Sequence, residues 1–198
     1  MTALRLPLLA ILLLAAPEAL AHTPEGSLAG GFAHGFAHPF GGLDHLLAMA
    51  AIGLWAARLG GRMAWGVPLA FLAAMALAGI AGIFGVLPGE IGGIEAGISA
   101  SVAALGVLIV LGARPPAAIA SILAGLFAVA HGLAHGAEMP KTEPLALVAG
   151  FVAASATLHA LGFAAAKAAE QIGEKSARVF ARAGGAILAA FGFTSLVL

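Results

Sequence analysis

The chain has 198 residues, of which 62% are hydrophobic and only 9% charged, with a mean hydropathy of +1.07; a soluble domain carries roughly 25% charged residues, so this composition cannot cover a water-facing surface. Nine basic and nine acidic side chains cancel, and there is no Cys, which excludes a nucleic-acid footprint, disulfides, thiolate metal sites and iron–sulfur clusters. No Gly-rich phosphate loop occurs either, so the chain carries no recognisable ATP-driven motor of its own.

Residues 1–21 have the pattern of a secretory signal. Arg5 supplies the positive start, Leu8 to Ala16 a short apolar core, and Ala19-Leu20-Ala21 a small-residue cleavage site. Cleavage there would leave His22 as the new N-terminus. Six longer apolar segments follow, at about 30–57, 63–87, 91–112, 117–137, 144–166 and 179–198, each near the ~20 residues that cross a ~30 Å hydrocarbon core as helix. The links between them are short and hold turn residues: Gly60-Gly61, Pro88-Gly89, Pro115-Pro116 and the stretch from Glu138 to Pro144. The expected fold is therefore all-α: residues 22–198 form one compact bundle of six transmembrane helices, with the first span kinked at Pro39 and loosened by Gly41-Gly42. Four-residue glycine spacings at Gly31/Gly35, Gly89/Gly93/Gly97 and Gly132/Gly136 fit close helix packing.

Charge sets the expected orientation. With His22 outside, the inner links hold Arg58, Arg62, Arg114, Lys167, Lys175, Arg178 and Arg182, and the outer ones hold only Lys141. The positive-inside rule then puts both mature termini outside, in the periplasm if the membrane is a bacterial inner membrane.

Ionisable side chains in hydrocarbon cost several kcal/mol by most scales and normally face a bundle interior or a water-filled cavity. Here they are Asp44, Glu95 and six histidines: His34, His38, His45, His131, His135 and His159. On a continuous helix His34, His38 and His45 fall within roughly 40° of one another, with Asp44 on a neighbouring face. His131 and His135 are one turn apart, followed by Glu138. No Glu follows the first His, so the pair is not the HExxH zinc-protease motif. Counting residues from the span ends puts His34 and His135 near the outer surface, His38, His131 and Glu95 lower, and Asp44, His45 and His159 near the midplane. Imidazole and carboxylate suit nickel, cobalt, zinc or iron(II) better than magnesium or calcium. The residues thus point to a path for a divalent transition metal, a transporter rather than an enzyme, with no cofactor permanently bound. A metal-dependent intramembrane hydrolase with a His/Asp zinc site is the alternative chemistry. The free α-amine and imidazole of His22 would offer a further capture point.

Two motifs carry a resemblance. His38-Pro39-Phe40-Gly41-Gly42-Leu43-Asp44-His45 with Met49, and His131-Gly132-Leu133-Ala134-His135-Gly136-Ala137-Glu138, are similar to the HPxxGxDHxxxM and HGxAHGxE signatures of HupE/UreJ proteins. Leu158-His159-Ala160-Leu161-Gly162 resembles that family's fifth-span histidine. The resemblance implies nickel uptake, with cobalt as another substrate, in the service of nickel-enzyme maturation proteins. It also implies functional roles for His38, Asp44, His45, His131, His135 and Glu138.

Overall fold

The computed structural model describes residues 28–85, 91–138 and 142–198. The expected signal at 1–21 and His22 lie outside them. Among the described residues the chain is helical throughout: α1 (Leu28–Ala37), a 3-10 turn (His38–Phe40), α2 (Leu43–Leu59), α3 (Met63–Ile83), α4 (Ile91–Leu111), α5 (Ala117–Glu138), α6 (Pro144–Ile172) and α7 (Glu174–Val197). Five of these helices, α3 to α7, are long and apolar enough to cross a membrane; the bent pair formed by α1 and α2 makes a sixth if it is one span. Leu69, Leu77, Ile122, Leu126 and Ile187 are exposed on the outside of the bundle, where a lipid environment would solvate them.

The first segment is more than kinked. The two helices of the pair lie at 86° to each other. Pro39 is the second residue of the 3-10 turn, where its missing N–H is harmless. The break itself falls at Gly42, whose backbone is extended (φ −116°, ψ 128°) before α2 begins. Both arms of the bend pack on the same helix, α6. Gly150 of α6 meets the backbone of Phe32 and Phe36, Gly35 meets Leu147, Gly53 meets His159 O, and Gly162 meets Ala50 O. These are approaches that only a residue without Cβ allows. The expected helix through residues 30–57 is thus two helices, each held by glycine contacts.

The remaining bundle is built the same way. Gly132 and Gly136 of α5 sit against the backbone of α3 at Met75 and Gly79, and Gly106 of α4 sits against Gly185 and Ala189 of α7. Of the anticipated glycine runs, Gly93 faces open space, Gly97 meets only Ala130, and Gly89 is outside the described residues.

The last two helices run longer than hydropathy indicates. α6 continues to Ile172 and α7 starts at Glu174, with only Gly173 (φ 143°) between them. The apolar run ends near Ala166, but helix propensity does not. Ala164 to Ala169 are nearly all Ala, and Lys167–Glu170 (2.8 Å) and Glu174–Arg178 (3.4 Å) pair along the helix surface. Hydropathy sees the membrane edge, whereas the helix stops at the positive-φ glycine.

Candidate metal path

The bend positions the first set of histidines. The 3-10 turn carries His38, and α2 starts with Asp44 and His45 in its first turn. There the carboxylate also sits favourably at a helix N-terminus. Asp44 Oδ1 accepts a hydrogen bond from His45 Nδ1 at 3.1 Å. A Cβ on Gly42 would lie 2.6 Å from that oxygen and 3.2 Å from that nitrogen. Gly42 therefore serves two ends: it turns the chain and leaves room for the pair to fold back over the turn.

From the other side α5 presents His131 and His135, both with no exposed surface. Ring centroids lie at 4.9 Å for His38–His135, 4.6 Å for His45–His135 and 5.1 Å for His45–His131. Four imidazoles from the turn, α2 and α5 thus form one connected cluster, and His34, exposed on α1, extends it outward at 6.5 Å from His38. His135 is held by stacking flat on Phe151 of α6 (5.0 Å, 18°). His45 Nε2, His131 Nδ1 and both ring nitrogens of His135 are buried without a hydrogen-bond partner. Buried polar nitrogens are nearly always bonded in a native interior, so a row of unpartnered imidazole nitrogens is a donor set suited to a borderline-soft cation. Among the described residues no three His, Asp or Glu side chains are arranged around one point as a metal site. The cluster is a succession of neighbouring donors rather than a closed cage.

A cavity of about 340 Å³ opens onto the cluster, lined by His38, Gly41, Gly42, Asp44, His45, Glu95 and Ile98. Glu95, exposed on α4, joins Asp44 on its wall. Glu138 ends α5, and its side chain lies outside the described residues.

Two placements rest on tertiary contact rather than on position along the sequence. A straight first span would carry Asp44 and His45 down to the midplane. The break instead turns α2 away and leaves His45 beside His135, less than one turn from the end of α5. His159 stands apart from the cluster. Its Nδ1 donates to Met49 O at 2.8 Å, and Phe71 touches both it and His131, with ring centroids 5.3 Å from His159 and 5.9 Å from His131. His159 Nε2 is buried and unpartnered.

Sequence reasoning does not find Phe71, Phe151 or Ser101. Ser101 on α4 lies 3.0 Å from His131 Nε2. A serine or phenylalanine in an apolar span is ordinary composition, and only the packing of α3, α4 and α6 against α5 brings these three to the imidazoles.

Known proteins resemble this chain over most of its length. A family profile described as HupE / UreJ protein matches residues 9–195. Protein HupE of Rhizobium leguminosarum bv. viciae is 41% identical over 180 residues, covering 90% of this chain and 91% of that protein. No solved structure matches significantly.

Proposed function

Because the chain belongs to the HupE/UreJ family, we propose that it is a permease which takes up a divalent transition metal, nickel foremost and cobalt as a second cargo, across a bacterial inner membrane. The observation that carries this reading is the contact cluster of His38, His45, His131 and His135, with four buried ring nitrogens that no protein group satisfies.

In this reading the carboxylates of Asp44 and Glu95 attract the hydrated cation into the cavity they line with His38, and His34 and His22 serve as outer capture points. Desolvation then proceeds by exchange of waters for imidazole. The ion passes from His38 to the His45–His135 pair and on to His131, with Glu138 near the mouth as a further oxygen donor. Phe71 is the apolar step before His159, whose free Nε2 takes the ion deeper. Neighbouring donors of similar strength suit conduction, since binding must be strong enough to strip water and weak enough to release. With the termini outside, an inward-negative potential favours uptake, by about 4.6 kcal/mol for two charges across 100 mV. The cargo would then reach nickel-enzyme maturation proteins inside.

The test is uptake by proteoliposomes holding the purified protein. Nickel accumulation that cobalt competes for, and that Asp44→Ala plus His45→Ala abolishes, is the expected result. Uptake unchanged in that double variant ends this proposal, and tight stoichiometric zinc without transport would replace it by the hydrolase alternative.

A further inference from the structure

The hydrogen bonds around the imidazoles decide which nitrogen of each ring is free. A carboxylate and a carbonyl can only accept, so His45 donates from Nδ1 to Asp44 Oδ1 (3.1 Å) and His159 donates from Nδ1 to Met49 O (2.8 Å). Each is therefore left with its lone pair on Nε2, and in each that nitrogen is the unpartnered one. His131 is turned the other way. Its Nε2 lies 3.0 Å from Ser101 Oγ, and its unpartnered nitrogen is Nδ1.

Ser101 has one hydroxyl proton, and the nearer of its two neighbours is a carbonyl that can only accept it. Oγ donates to Ile98 O, one turn back on α4, at 2.7 Å. With the proton on that shorter bond, the hydroxyl oxygen accepts in the contact with His131 and Nε2 carries the ring proton. Both groups are buried, Ser101 at 5% exposure and His131 at 0%. We infer that Ser101 is a positioning residue which holds His131 in the Nε2-protonated tautomer, so that Nδ1 presents its lone pair to the ion passing from His45. The inference rests on the permease reading and adds to it which atom of His131 takes the cargo and which residue outside the family motifs enforces it. Partners of this kind commonly set the tautomer and basicity of a metal-binding imidazole, and their loss costs roughly 10–100-fold in affinity or activity.

Without the hydroxyl, a proton on Nε2 would be a buried donor facing a methyl group. The ring then has a partner on neither nitrogen, so nothing fixes its tautomer and the form with the proton on Nδ1, where the ion should bind, competes.

Two measurements test this. In metal-free wild-type protein with ¹⁵N-labelled histidine, NMR should show His131 protonated at Nε2 and unprotonated at Nδ1; the opposite tautomer overturns the inference whatever the variants do. In proteoliposomes, Ser101→Ala should raise the KM for Ni²⁺ roughly 10–100-fold, and Ser101→Thr, whose hydroxyl can also bond a preceding carbonyl, should restore it. A wild-type KM in Ser101→Ala overturns the role of Ser101. His131→Ala separates the two ideas: if uptake survives it, the permease reading of this cluster fails, whereas loss in His131→Ala with none in Ser101→Ala sinks only the positioning role.

Discussion

His45 and His135 stand with ring centroids 4.6 Å apart, one at the start of α2 and the other near the end of α5. The contact exists because the chain breaks at Gly42 and because Phe151 holds His135 flat from behind. If the two rings handle one ion in succession, their losses cannot add. His45→Ala and His135→Ala should each lower nickel uptake severely, and the double variant should be little worse than the weaker single one. Initial rates at matched protein levels measure this. Fully multiplicative losses would mean that the two rings act independently.

Gly42→Ala probes the turn. The backbone there is extended and open to alanine, so the cost comes from the new methyl, placed 2.6 Å from Asp44 Oδ1. The expected result is a folded protein in which the Asp44–His45 hydrogen bond is displaced and uptake falls toward that of Asp44→Asn. Thermal unfolding and uptake measured together check it. Wild-type uptake would show that the pair does not depend on the space Gly42 leaves.

His159 is bonded through Nδ1 and unpartnered at Nε2. Removing its donor with His159→Phe loses one hydrogen bond to Met49 O, worth about 1 kcal/mol, since α2 continues to use that carbonyl. Loss of a cargo ligand should cost no less than loss of a supporting partner, so uptake should drop at least roughly tenfold. A variant slightly less stable yet fully active would make His159 a brace between α2 and α6 and nothing more.

Gly53→Val tests the brace itself. The new side chain would press on the backbone oxygen of His159, and overpacking of this kind costs typically 1–3 kcal/mol. Reduced thermal stability with α2 and α6 displaced should take the His159–Met49 bond with it. An unaltered melting temperature would show that this crossing has slack.

Uptake should also depend on external pH in one direction. A protonated imidazole has no lone pair for the ion, so uptake falls once acidification protonates rings of the cluster. A rate that rises on acidification would point to proton-driven coupling instead.

Much of this was legible in the chain alone. The apolar lengths and the positions of Gly and Pro set the helices starting at Ile91 and Ala117 to within one residue, while the helix starting at Met63 stops at Ile83, short of the expected 87, because a ~30 Å hydrocarbon layer imposes its own length on a span. The histidines and carboxylates stand out in sequence because each is a liability in lipid. Three-dimensional contact decided the rest. Periodicity treats 30–57 as one rod and therefore sends His45 to the midplane; the extended Gly42 and the two glycine crossings on α6 bend that rod by 86° and bring His45 to His135. Likewise, Ser101 gains its meaning only from the ring of a residue on another helix. A one-dimensional pattern reports which side chains are costly to bury, while their partners depend on how closely two backbones can approach, and that is set by glycines distant from one another in the sequence.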